Sequence, residues 1–266
     1  MSNLQQPEQT VTLEIDERGV AYLTMVRESV HNAFDDHMIA ALIEALAQVE
    51  QQPQARLLVL RSQGKHFSAG ADLQWMRSMA DKDYQQNLDD AAQLATLMQR
   101  LDELSKPTIC LVQGAAFGGA VGLAACCDIV LAEARASFCL SEVKIGLIPA
   151  VISPYVIRAM GERQARRYML SAERFFADVA QQYGLVHEVC DDLSSRSQAL
   201  IDSLLANSPA ALAACKQLIS DLTYAPVSAD MRQQTIERIA AIRVSEEGQE
   251  GLSAFLEKRP ADWTRG

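Results

Sequence analysis

No uninterrupted apolar run approaches the roughly 18–20 residues that a bilayer-spanning helix requires. The opening MSNLQQPEQT has neither a basic segment nor an apolar one, so no secretory leader is read there. Both absences point to a cytoplasmic chain without a membrane anchor. Basic clusters are missing too. Lys and Arg number 24 against 34 Asp and Glu, a formal charge of −10, and a surface of that sign does not hold nucleic acid through its phosphates. The six cysteines, Cys110, Cys126, Cys127, Cys139, Cys190 and Cys215, form no CxxC pair. That pattern suits neither a zinc site nor a disulfide framework and leaves them as small buried apolar residues.

Several catalytic signatures are absent as well. Gly64-Lys65 is followed by His66 instead of the hydroxyl residue that a P-loop needs, and Gly114, Gly118, Gly119 and Gly122 lack GxGxxG spacing. A nucleophile elbow around Ser68 fails because His66 stands where the sharp turn needs glycine. His31, His37, His66 and His187 show no HxxxH or HExxH spacing, so no metal site is expected and the histidines read as surface or loop residues.

What the chain does have is bulk for a core: 266 residues, 49% hydrophobic. Val11 to Ile15 and Ala21 to Val26 alternate around the turn at Arg18-Gly19 and predict a β-hairpin. From about Asp35, with Asp35 or Asp36 as the cap, Met38, Ile39, Leu42, Ile43, Leu46 and Val49 recur at helical spacing until Pro53. Short apolar runs at Arg56–Leu60, Thr108–Val112 and Asp128–Ala132 predict buried strands, with helices over Tyr84–Leu104 and through Gly118–Ala125. Strand, loop and helix alternate for about 190 residues, which argues an α/β class with stacked sheets. Beyond Asp192 the pattern is helical only. A boundary is expected near 191–208, dividing a core at 1–195 from a helical segment at 196–266.

Two loops draw attention to chemistry. Phe67-Ser68-Ala69-Gly70-Ala71-Asp72-Leu73 and Gly114-Ala115-Ala116-Phe117-Gly118-Gly119-Ala120 each follow a buried strand and place small residues at a helix start. Small residues let backbone N–H groups approach a ligand, and a helix N-terminus adds partial positive charge. Two such amides on one oxygen would make an oxyanion hole. Close strand-to-helix packing explains the glycines equally well. Trp75, Met76 and Met79, at helical spacing after the first loop, read as core or as a face toward an acyl chain.

These two loops, together with Cys127-Asp128-Ile129, Phe138, Ser141-Glu142, Gly146-Leu147-Ile148-Pro149 and Phe255-Leu256-Glu257-Lys258-Arg259, resemble the crotonase, or enoyl-CoA hydratase/isomerase, superfamily. The resemblance implies a crotonase-like spiral of ββα units and a helical C-terminal segment that packs homotrimers, commonly as a dimer of trimers. It implies an acyl-CoA thioester as substrate, no separate cofactor, and an oxyanion hole from the amides of Ala71 and Gly119. Glu142 matches one of the two glutamates that hydratases of this family use as acid and base; the other would fall at Gly122. By the same resemblance Arg27, Ala69, Ala71, Asp72, Leu73, Gly118, Gly119, Phe255 and Lys258 contact the substrate or its coenzyme A, the last two from a neighbouring subunit. Gln74 replaces a basic residue frequent in the family. GAAFGGAVGL, FCLSE and IPAVISPY resemble bacterial hydratases of methylglutaconyl-CoA and isohexenylglutaconyl-CoA. The implied reaction is hydration of a branched glutaconyl-type 2,3 double bond. Its rivals are Δ3,Δ2-enoyl-CoA isomerisation and a non-catalytic acyl-CoA-binding assembly protein.

Overall fold

The computed structural model describes residues 9–264. The hairpin expected near the start is β1 (Val11–Ile15) and β2 (Val20–Met25), antiparallel in the register Leu13 to Leu23. Helix α1 (Asp36–Gln51) starts where Asp35 accepts a hydrogen bond from the Met38 amide, and it buries Met38, Ile39, Leu42, Leu46 and Val49. There follow β3 (Leu57–Ser62), α2 (Leu73–Ala80), α3 (Tyr84–Asp102), β4 (Thr108–Val112), β5 (Ala115–Phe117) and α4 (Gly119–Cys126). Next come β6 (Ile129–Glu133), β7 (Ser137–Cys139), α5 (Ser153–Met160), α6 (Glu162–Ser171), β8 (Phe175–Phe176), α7 (Ala177–Gln182) and β9 (Glu188–Cys190). Four helices end the chain: α8 (Leu193–Leu205), α9 (Pro209–Leu222), α10 (Ala229–Val244) and α11 (Glu246–Glu257).

The strands divide between two sheets. The larger runs β1-β2-β3-β4-β6-β9, parallel from β2 onward, and the smaller runs β5-β7-β8. Isolated parallel bridges, Phe34 to Ala71 and Ser68 to Ala116, extend the smaller ladder past β5. Each turn of the chain thus lays one strand on the large sheet, a shorter extended piece on the small ladder, and then a helix. This is the α/β spiral of ββα units expected above.

Parallel strands covered on both faces carry continuous apolar runs, and Leu57 to Leu60 are all buried. One face packs against α1, α3 and α4 in the main core, while Val20, Leu57, Val59, Ile109 and Leu131 meet Ile201 of α8 on the other. The expected boundary at 195/196 therefore falls inside α8, a helix whose apolar stripe belongs to the sheet. By contrast α9 and α10 bury no residue within one chain, and Ile219, Ile236 and Ile239 are exposed. Five cysteines are buried as expected, whereas Cys215 on α9 is exposed. Among the described residues no helix is long and apolar enough to cross a membrane.

Candidate active site

The first loop is built by alternation. Ser68, Gly70 and Asp72 point inward and are buried, so Ala69, Ala71 and Leu73 lie on the open side. Phe34 donates its N–H to the Gly70 carbonyl at 2.8 Å and accepts from the Asp72 N–H at 2.8 Å. A parallel bridge uses the groups flanking Ala71, so the Ala71 N–H faces the opposite way and has no acceptor among the described backbone bonds. Asp72 then caps α2, accepting from the Gln74 and Trp75 amides at 2.7 and 3.3 Å.

The side chains of Arg27 and Asp72, both expected on the ligand, pair with one another. The Arg27 guanidinium pairs with Asp35 at 2.8 Å and Asp72 at 3.4 Å and donates to the Ala33 carbonyl at 2.7 Å, with its side chain only 11% exposed. It joins the caps of α1 and α2 across the Phe34–Ala71 bridge. A buried guanidinium needs such partners, and the nearest acids are the two cap residues. These contacts hold the first loop in place.

The second loop comes from β5, whose register Phe117 to Cys139 sets its distance from β7. Gly118 donates to the Cys139 carbonyl at 2.9 Å and takes φ +54° and ψ −121°, a conformation that glycine alone adopts freely. Gly119 opens α4, so its N–H is among the unpaired donors of a helix start. The Ser68–Ala116 bridge, with Ser68 donating to Ala115 and accepting from Phe117, each at 3.0 Å, ties the two loops edge to edge.

Three residues beyond β7, Glu142 begins a short 3₁₀ turn. A Cβ on Gly118 would stand 3.3 Å from Glu142 Oε1, which puts the carboxylate against the second loop, one residue from the Gly119 amide. Glu142 Oε2 is buried without a hydrogen-bond partner. Burial pushes this carboxyl above its ordinary range, opposed by a hydrogen bond to its own backbone. A carboxyl so tuned holds and releases a proton closer to neutrality.

Gly122 lines no open space for a second acid. A Cβ there would lie 2.3 Å from Ile152 Cγ2 and 3.2 Å from Met98 Sδ. The histidines lie in loops or on the surface, as expected; half-buried His66 and exposed His187 use Nδ1 to accept from the Ala115 and Val130 amides, at 3.1 and 3.0 Å. Burial lowers the pKa of both. Trp75 packs on the main core, as its spacing suggested. Phe255, 81% exposed, sits on α11, which packs on α9 and α10, and Lys258 caps the end of that helix. Within one chain they are not gathered with the two loops.

Residues 16–266 match the family described as Enoyl-CoA hydratase/isomerase, so the chain belongs to that family. Among solved structures it is similar to an enoyl-CoA hydratase from Shewanella pealeana, at 54% identity and a TM-score of 0.94 over 96% of each chain. Two relatives from Escherichia coli are each 33% identical over 93% of this chain and 96% of their own length. One is a 2,3-dehydroadipyl-CoA hydratase and the other a 1,2-epoxyphenylacetyl-CoA isomerase. Family membership makes the chain an enzyme of the enoyl-CoA hydratase/isomerase type, consistent with a hydro-lyase.

Proposed function

We propose that this enzyme adds water across the 2,3 double bond of a branched, carboxylated acyl-CoA of the glutaconyl type, such as methylglutaconyl-CoA or isohexenylglutaconyl-CoA. The observation that carries the reading is one tuned carboxyl, Glu142, set against a loop whose neighbouring amide, with that of Ala71, is free to bind an oxygen. The thioester oxygen accepts from the N–H groups of Ala71 and Gly119, which draws electrons from Cβ. Glu142 takes a proton from water as the water oxygen bonds to Cβ. The π pair moves toward the thioester oxygen as an enolate, and Glu142 returns the proton to Cα. One water is consumed and the carboxylate is regenerated.

Ala69, Leu73 and Gly118 flank the acyl-CoA on the open side of the two loops. Phe255 and Lys258 reach coenzyme A from a neighbouring subunit, because α9 and α10 bury no residue within one chain and assembly as a trimer or dimer of trimers would cover their apolar faces. No separate cofactor enters this scheme.

A second reading, Δ3,Δ2-enoyl-CoA isomerisation, is favoured by one observation: Ile152 and Met98 fill the space beside Gly122, and a single base suffices to move a proton between two carbons. Incubation with 3-methylglutaconyl-CoA decides between them. Loss of enoyl absorbance with gain of one water mass supports hydration. Conversion of a 3-enoyl to a 2-enoyl thioester without mass gain, and no hydration of the glutaconyl thioester, would replace it with isomerisation. Binding without turnover of either would favour the assembly-protein alternative.

A further inference from the structure

The ladder that joins the two loops is closed at one end by a side chain. In a parallel pair, a residue donates and accepts across two residues of its neighbour, and Ser68 does so with Ala115 and Phe117. Continued two residues back, that pattern would have the Ala115 N–H donate to the His66 carbonyl. It does not. The His66 carbonyl accepts from Asn32 Nδ2 at 3.0 Å and Ser62 Oγ at 3.2 Å, and the Gln113 carbonyl accepts from the N–H of Phe67. The pairing has slipped by one residue, and the Ala115 N–H donates to Nδ1 of the His66 ring at 3.1 Å. Gly114, at φ +60°, makes room for this: a Cβ there would lie 2.2 Å from the Lys65 carbonyl oxygen and 2.7 Å from His66 Nδ1. The His31 ring meets the His66 ring edge to face at 5.1 Å, while the His31 carbonyl accepts from the Ala69 N–H at 3.0 Å.

We infer that His66 is a positioning residue: its neutral imidazole stands in for the missing rung between the two loops and so sets the spacing of the Ala71 and Gly119 amides. That these amides bind the thioester oxygen rests on the function proposed above. As an acceptor Nδ1 carries no proton, so the proton of the neutral ring sits on Nε2. A second proton would turn Nδ1 into a donor facing the N–H of Ala115, which is buried and would lose its partner. The surroundings oppose that proton. Burial holds the ring below the ordinary imidazole range, and His31 and Lys65 beside it, Arg174 ahead of β8 and Arg135 ahead of β7 push the same way. Of the acids on these segments, Glu133 pairs with Arg135, Glu173 pairs with Arg167, and Glu28 stands against Gly64. The rung is therefore made at neutral pH and lost on acidification.

Binding of an unreactive thioester, butyryl-CoA, reads the spacing of the amides, and S-butyl-CoA, which has no carbonyl oxygen, is the reference. Glu142→Gln removes the carboxyl that would titrate over the same span. In that background the ratio of thioester to thioether affinity should fall at least ~5-fold between about pH 8 and about pH 5. Phosphate titration in coenzyme A cancels in the ratio. Adding His66→Asn should flatten the profile, because Asn Oδ1 accepts at a similar reach and takes up no proton. A ratio that falls as steeply with His66→Asn overturns the inference. In Glu142→Gln alone, whether or not the Asn variant folds, a flat ratio well above one also overturns it, and a ratio near one at every pH overturns the oxyanion assignment and this inference with it. No turnover is needed, so a ratio that falls with pH in a protein hydrating no enoyl thioester would remove the hydratase reading and leave this one standing.

Discussion

Glu142→Gln keeps the size of the side chain and removes the form that accepts a proton. Proton transfer by a positioned carboxylate contributes about 10²–10⁴-fold. Turnover should therefore fall by ~100-fold or more, which corresponds to about 2.7 kcal/mol or more in the barrier. Affinity for an unreactive thioester should stay within a few fold, because backbone amides of Ala71 and Gly119 hold the carbonyl in this scheme. Stability should move the other way. Burial raises the folded-state pKa of Glu142, so the folded protein holds that proton more tightly than the unfolded chain does. Below the ordinary carboxylate range both forms are neutral and the two proteins should match. As pH rises through the folded pKa the native enzyme must carry a poorly solvated charge, with Oε2 unpartnered, and the Gln variant becomes the more stable one. The same titration gives kcat/KM of the native enzyme an acid limb above the usual Glu value, since the ionised form accepts the proton. Steady-state kinetics and melting curves across pH measure both effects. A variant with native turnover, or one whose stability difference grows as pH falls, would refute the reasoning.

Gly118→Ala should lower Tm by strain of about 1–3 kcal/mol and reduce turnover, because its φ of +54° disfavours a side chain and the new Cβ presses on Glu142 Oε1; melting and kinetics check this. At Gly119 a Cβ would meet the Phe34 ring at an ordinary 3.7 Å, so Ala should fold normally, whereas the branches of Val should displace the amide and lower kcat/KM by about 3 kcal/mol. Arg27→Met leaves Asp35 and Asp72 without their shared partner and should destabilise by about 3 kcal/mol or more, measured by denaturant unfolding. Lys258→Ala should raise KM for acyl-CoA and leave kinetics on a pantetheine thioester, which lacks the nucleotide, unchanged; equal effects on both would remove the nucleotide contact.

The elements with the most burial were the most legible. Leu42, Leu46 and Val49 announced α1, and the apolar run at Leu57 announced β3, because each buries a face whose period is written in the residues. The small ladder was not readable: β5, β7 and β8 have three, three and two residues, too few for any period to show. Yet that ladder, with the Phe34–Ala71 and Ser68–Ala116 bridges, is what sets the two loops side by side. Glu142 was singled out by the family resemblance of its motif, whereas its proximity to Gly118 depends on β7 pairing with β5.

By itself the sequence determined which residue types stand where: small residues ahead of α2 and α4, a cap at Asp72, an acid at position 142, and none at position 122. These are local properties, set by side-chain size and backbone freedom along a few consecutive residues. Only the tertiary structure decided that Arg27 closes on Asp35 and Asp72, and that Ile152 fills the space beside Gly122. The Arg27–Asp72 pair and the Ile152–Gly122 contact join residues 45 and 30 positions apart in the chain. They follow from the stacking of successive turns, which spacing along the sequence does not encode.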